Sequence, residues 1–272
     1  MKGMHKPALL ILFALMVLGS LSVYTFLILG HAPDDADLAR RLKGMSMDHL
    51  LGTDHLGRDV LSRILSGGVT TVGFSLLALG AALLIGIPVG IYAGYKGGLV
   101  DRIFMRIADG FLSFPDTIVA IVLAGMMGPG IVNLVLSIML VKWVNYARLV
   151  RSTVLTESGK DYVLMAKVNG LTQGAIMRRH LLPHLVGNVV VLASLDLGKI
   201  ILLLSAFSYI GLGAQPPAPE WGAMLNEARP YFQTMPQLML APGMAIVITV
   251  FVTNLLGDHV RDLYDVKREV DS

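Results

Sequence analysis

Between Ile64 and Tyr95 the chain carries no charged residue. That run exceeds the roughly 20 residues a helix needs to cross the hydrocarbon of a bilayer. In lipid every backbone N–H and C=O must be satisfied internally, and a helix does so within one segment. The whole chain agrees with this reading: 54% of its residues are hydrophobic and 15% charged, with a mean hydropathy of +0.68. A soluble domain carries about a quarter charged residues. The spacing of apolar runs predicts an all-α, polytopic membrane protein.

Six spans are expected. The first is Pro7–Gly30, preceded by Lys2, His5 and Lys6. It is longer than the roughly 7–15-residue apolar core of a signal peptide and lacks an A-x-A site, so it reads as a retained helix. The others are Val69–Ala93, Ile103–Gly125 (carrying Arg106, Asp109 and Asp116), Ile131–Val150, Leu185–Ile210 and Gln237–Leu256. "MMGPG", Met126–Gly130, is a turn between the third and fourth. The organisation predicted is a first helix with an outer segment over 1–68, a core over 69–257 with a loop at about 151–183, and a tail at 258–272.

Six spans place both termini on one side, and positive charge selects the side. The segment between the fourth and fifth spans holds Arg148, Arg151, Lys160, Lys167, Arg178 and Arg179 against Glu157 and Asp161. Lys96 and Arg102 lie in the turn after the second span, whereas Gly211–Pro236 has only Arg229 against Glu220 and Glu227. Both termini and the basic loop are therefore expected in the cytoplasm. The segment between the first two spans is also basic but balanced by aspartates. A net charge of +3 without a basic patch gives no reason to expect nucleic acid. The absence of cysteine excludes disulfides, thiolate metal sites and a cysteine nucleophile.

The basic loop contains "NGLTQGAIMRRHLLPHL", Asn169–Leu185. Gly170 is suited to end a helix in the left-handed conformation, Thr172 to cap a short new one, and Pro183 to enter the first turn of the next. Gln173–His180 makes about two turns, too short to be stable unless packed. From its shape alone it either rests on the membrane, its arginines facing lipid phosphates, or docks on a partner.

"AKVNGLTQGAIMRRHLLP" resembles the cytoplasmic loop of ABC importer permeases, in which an E-A-A run, a glycine and an I-x-L-P ending recur. Ala166, Gly170, Leu182 and Pro183 are in register, while Leu164, Met165 and His180 depart from the pattern. Tyr162, Val163, Arg179 and His180 are similar to the peptide and nickel branch, with His184 in place of its Asn. "LGTDHLGRDVLSRILSG" (Leu51–Gly67) and "YIGLGAQPPAPEWGAMLNEAR" (Tyr209–Arg229) look like further signatures of the second permease of that branch.

The resemblance implies a type I ABC importer permease fold in a prokaryotic inner membrane. Its coupling segment would be Ala166, Gly170, Leu171, Thr172, Gln173, Gly174, Ala175, Ile176, Arg178 and Pro183, docked on an ATPase. The implied partners are a homologous second permease in a heterodimer, two ATPase subunits holding ATP and Mg, an extracytoplasmic binding protein, and surrounding lipid. No cofactor is expected on this chain. Gly52, Thr53, Asp54, Gly57, Arg58 and Asp59 would form a structural element beside the binding-protein dock. A metal site at Asp54, His55 and Asp59 is weighed against turns at Gly52 and Gly57 with an Asp59–Arg63 pair, and the latter is preferred. The methionines are ordinary apolar filler, and His180 and His184 take no ligand role.

Charge inside the spans marks a bundle interior or a wet path. Asp196 and Lys199, three residues apart on one face, either neutralise each other structurally or line a translocation path, and Asp109 and Asp116, nearer the cytoplasmic half of the third span, are further candidates for that path. Asp109 also has Arg106 within reach as a partner. No G-x-S-x-G, H-E-x-x-H or Walker A sequence occurs, so the expected activity is transport without catalysis by this chain. The Leu195–Gly198 run resembles nickel-type permeases more than dipeptide ones, and that resemblance implies nickel or a nickel chelate as cargo rather than a dipeptide or oligopeptide. A proton-coupled carrier using Asp196 and Asp109 is a further alternative, weakened by the absence of a sequence repeat, and a structural or receptor subunit another.

Overall fold

The computed structural model describes residues 32–270. The first expected span, Pro7–Gly30, lies outside them. Among the described residues the architecture is helical, with one isolated β-bridge between Thr53 and Asp59. In chain order the helices are α1 (Val60–Lys96), α2 (Gly98–Leu112), α3 (Asp116–Met127), α4 (Ile131–Ser158), α5 (Asp161–Val168), α6 (Gln173–Ile176), α7 (Leu182–Tyr209), α8 (Trp221–Ala228) and α9 (Gln237–Val270). Four helical rods are long and apolar enough to span: α1, α4, α6 joined to α7, and α9; the bent pair α2–α3 makes a fifth if it counts as one.

The third expected span, Ile103–Gly125, is not one straight helix. α2 and α3 meet at 89°. The break falls at Ser113-Phe114-Pro115, where Pro115 adopts an extended ψ of 131° and starts α3 by accepting the Ile118 N–H at 2.9 Å. Proline disfavours the helical region for the residue before it and has no N–H to donate, and here, unlike at Pro88 and Pro242, the helix breaks. The other spans are longer than expected, because α1 begins at Val60 and α9 runs to Val270.

Close approach of α1 and α4 sets the core. A Cβ at Gly86 would lie 2.6 Å from the Trp143 carbonyl, and one at Gly90 would lie 2.5 Å from that of Ala147. Glycines four residues apart share a helix face, and small residues there let membrane helices touch backbone to backbone. Ala78, Ala82, Leu134, Ile138, Val144, Ala147, Ile200 and Leu204 fill the space between α1, α4 and α7. Across one end of the bundle, α8 is tied down by Trp221, whose Nε1 donates to the Ile64 carbonyl at 2.7 Å. Glu220 caps α8, accepting from Gly222 N and Ala223 N at 2.9 Å and from the Thr71 hydroxyl at 3.0 Å. Burial raises its carboxyl above the ordinary carboxylate range, against the pull of these hydrogen bonds.

Candidate functional site

At the opposite end of the bundle α5 stops at Gly170, whose φ of 77° is left-handed. Leu171 N and Gly170 N then return to the Ala166 and Lys167 carbonyls at 3.1 and 3.0 Å. Thr172 turns the chain into α6 and accepts the Ala175 N–H at 3.4 Å. α6 does not end as a separate two-turn helix: a π-helical turn, Met177–Leu181, carries it into α7, with Pro183 in the first turn of α7. π turns are rare and favour functional positions.

Burial sorts the expected coupling residues into two groups. Ala166 and Ile176 are buried, and Ile176 (1% exposed) packs with Val150, Val154, Val163, Leu181 and Leu185. Thr172, Gln173, Gly174, Arg178 and Pro183 are exposed, with Leu171 and Ala175 half-buried. Beside them lies an apolar surface: Leu164, Met165 and Val168, the last 80% exposed. A short polar helix riveted by one side chain, next to exposed apolar residues, has the make-up of a docking surface.

Glu157, which the sequence reading did not single out, organises this end. It accepts from the Tyr162 hydroxyl at 2.6 Å and from Lys160 Nζ at 2.9 Å, and His184 Nε2 lies 4.0 Å away. The Tyr162 ring is tilted against His180 and His184, with centroids at 5.6 and 6.4 Å. Burial, and then the Glu157 contact, push the Tyr162 phenol up to about 12, so it stays protonated and donating.

Within the bundle, Asp196 is buried, its side chain 6% exposed. Lys199 Nζ lies 3.6 Å from it, but Asp196 does not depend on Lys199 alone. The Tyr146 hydroxyl donates to Asp196 Oδ2 at 3.1 Å, and the buried Lys142 Nζ lies 3.8 Å from Oδ1 and 3.2 Å from Asp116 Oδ2. Lys142 thus bridges carboxylates from two elements. It was visible as a lysine inside the fourth apolar run; Tyr146 follows four residues later on the same face.

Lys142 is also the first rung of an antiparallel ladder from α4 to α2–α3. Arg148 Nη2 donates to Asp109 Oδ1 at 2.5 Å, and Arg151 grips Asp101 through Nε and, at 2.6 Å, through Nη2. Asp109 therefore pairs with Arg148 rather than with Arg106. The separation of about forty to fifty residues in sequence hid these pairs, whereas Arg106 advertised itself by helical spacing.

The segment before α1 is a buried polar knot. Asp54 accepts from Leu56 N, Arg58 N and Arg58 Nε at 2.8, 3.0 and 2.6 Å. Thr53 Oγ1 accepts from Lys43 N at 2.9 Å and donates to the Arg40 carbonyl. Gly52 and Gly57 both have φ of 78°. The expected Asp59–Arg63 pair is not made: Asp59 caps α1 through Ser62 N at 2.8 Å and meets His49 Nδ1 at 2.9 Å. Arg63 instead reaches Asp34, the Pro33 and Pro217 carbonyls, and Glu227. Arg58 Nη2 joins Glu227 at 2.6 Å, locking the knot to α8. Ligand atoms of Asp54, His55 and Glu227 lie within 4.8 Å of one another. Both carboxylates already face the Arg58 and Arg63 guanidiniums.

Residues 86–269 match the family described as Binding-protein-dependent transport system inner membrane component. The nickel transport system permease protein NikC of Escherichia coli is 38% identical over 256 residues, covering 94% of this chain and 92% of that protein. The glutathione transport system permease protein GsiD of Pectobacterium atrosepticum is 41% identical over 231 residues, covering 85% and 77%. The dipeptide transport system permease protein DppC of Alkalihalophilus pseudofirmus is 35% identical over 247 residues, covering 91% and 81%. A chain from an inward-facing structure of the MetNI methionine ABC transporter shares the fold, with a TM-score of 0.58 and 18% identity over 75% of this chain and 97% of that one. The chain belongs to the binding-protein-dependent ABC importer permeases. It is a multi-pass membrane transport subunit and not an enzyme, with ATP hydrolysis assigned to a separate subunit.

Proposed function

We propose that this chain is one of two homologous permeases in an ATP-driven importer of a prokaryotic inner membrane. In this reading it has six spans and cytoplasmic termini, and it binds no cofactor itself. The segment Thr172–Met177 docks on one of two ATPase subunits, which hold ATP and Mg. The knot at 52–59, with α8, faces an extracytoplasmic binding protein. Asp116, Lys142, Asp196 and Lys199 lie along the half of the path that this chain contributes, beside the Asp109–Arg148 rung. Movement of the ATPases on binding and hydrolysing ATP is passed to α7 through α6, exposing the path alternately to either side.

The observation that carries the coupling role is the exposed Thr172–Gly174 turn riveted by Ile176. Nickel, free or chelated, is the cargo we favour, supported by the 38% identity to NikC over nearly both full lengths. The glutathione and dipeptide permeases, at 41% and 35% identity, support a peptide-type cargo as the second reading.

Two experiments test the two parts, cargo and coupling. Deletion of the gene is expected to abolish radioactive nickel uptake that excess dipeptide does not compete, and the wild-type gene to restore it. Retained nickel uptake with lost dipeptide uptake would move the cargo to the peptide reading. Because the chain has no cysteine, a single Gln173→Cys variant reports docking directly. Failure of Cys variants across 172–177 to crosslink to cysteines in an ATPase subunit, in every nucleotide state, would reject the coupling role.

A further inference from the structure

Lys199 stands apart from the other charges of the embedded network. Its side chain is 68% exposed, whereas Lys142 is 8% exposed and Asp196 6%. It sits deep in α7, ten residues before the helix ends at Tyr209, or about 15 Å of helix. Leu195, Leu197, Ile200, Ile201 and Leu202 surround it in sequence. Its four-carbon stem does not bring the ammonium to a headgroup from that depth. An ammonium so placed faces a bundle interior or water rather than hydrocarbon.

Nor is Lys199 needed to neutralise Asp196. That carboxylate already has the Tyr146 hydroxyl at 3.1 Å and Lys142 at 3.8 Å, and Lys199 at 3.6 Å is beyond a normal charge-assisted hydrogen bond. Asp116 is held by the same Lys142 at 3.2 Å. The four groups sum to zero charge, two carboxylates against two ammoniums, with the ammonium of Lys199 the most exposed. A bare divalent cation arriving there meets positive charge first. A carboxylate meets a donor with unused hydrogen-bonding capacity.

We infer that Lys199 is a specificity-determining residue that recognises a carboxylate on the transported solute. The path then favours carboxylate-bearing cargo, whether a peptide or a metal held by an amino acid, over a bare divalent cation. This rests on the proposed importer function and narrows its cargo.

The test uses the complete transporter with its binding protein in proteoliposomes, comparing wild type, Lys199→Gln and Lys199→Arg. The probes are labelled dialanine, nickel with excess histidine, and nickel without a chelator. Wild type is expected to import dialanine or nickel–histidine in preference to unchelated nickel. Lys199→Gln should lower uptake of that carboxylate-bearing probe about tenfold or more, the scale of a hydrogen bond to a charged group. Lys199→Arg should retain most of it, and all three complexes should copurify intact. Unchanged uptake in Lys199→Gln, a wild-type preference for unchelated nickel, or loss of assembly in Lys199→Gln would each overturn the inference and leave the importer function standing. No uptake of either carboxylate-bearing probe by wild type would likewise overturn the inference, whereas ATP-independent uptake would remove the importer function itself.

Discussion

Lys142 illustrates how one side chain governs the embedded charges. It is 8% exposed and bridges Asp116, at the start of α3, to Asp196 in α7. Removing one partner of a buried ion pair leaves the other charge uncompensated, at a cost of about 3–5 kcal/mol. Asp116 is 41% exposed and solvent-screened, and Lys199 remains near Asp196, so the cost here falls at the low end. Lys142→Met should therefore destabilise the purified transporter by about 3 kcal/mol. Adding Asp196→Asn should restore a large part of it. Denaturant unfolding in detergent measures both, and equal stability of Lys142→Met and wild type would mean that the bridge holds nothing together.

At the level of elements, the contact between α1 and α4 is set by absent side chains. A methyl group at Gly90 would meet the Ala147 carbonyl at 2.5 Å and the Val150 Cβ at 2.7 Å, and backbone cannot step aside as a side-chain tip can. Gly80, on the same helix, has nothing within 4 Å of its would-be Cβ. Gly90→Ala is expected to cost about 1–3 kcal/mol by overpacking. Gly80→Ala should be neutral or gain several tenths, since alanine is the better helix former. Thermal unfolding of the two variants side by side gives the comparison, and similar melting would contradict the tight seam. The ladder Lys142–Asp116, Arg148–Asp109 and Arg151–Asp101 then fixes α2 and α3 along α4 on both sides of their bend.

At the scale of the molecule, α6, the π turn and α7 form one path of 37 residues, Gln173–Tyr209. Its first turn carries the exposed Gln173 and Gly174, and its middle carries Asp196 and Lys199. Near its far end the Ser205 carbonyl meets α8, where a Cβ at Gly222 would come within 2.2 Å. In the proposed coupling, a displacement at Thr172–Gly174 would travel along this rod to the embedded charges. Ile176 is the rivet between that rod and the foot of α4. Ile176→Ala should loosen it by about 2–5 kcal/mol of local packing. The expected outcome is that ATPases still copurify and hydrolyse ATP, while the solute imported per ATP falls. An unchanged ratio of uptake to hydrolysis would show that force does not pass through Ile176.

By itself the sequence determined the helical class, the membrane setting and the order of the spans from α1 to α9, because hydropathy and backbone satisfaction in lipid act along the chain. It also located the Gly170 turn, the Thr172 cap and the Pro183 start, since each depends on residues within a few positions. The break at Ser113–Pro115 was legible in that proline, but an apolar run on both sides masked it. Tertiary structure alone decided the pairings: Lys142 with Asp116 and Asp196, Arg148 with Asp109, and Arg58 and Arg63 with Glu227. Helical spacing favoured Asp59 with Arg63 and Asp109 with Arg106, and both were displaced. A buried charge takes the partner that packing brings nearest in space, and sequence separation does not enter Coulomb's law.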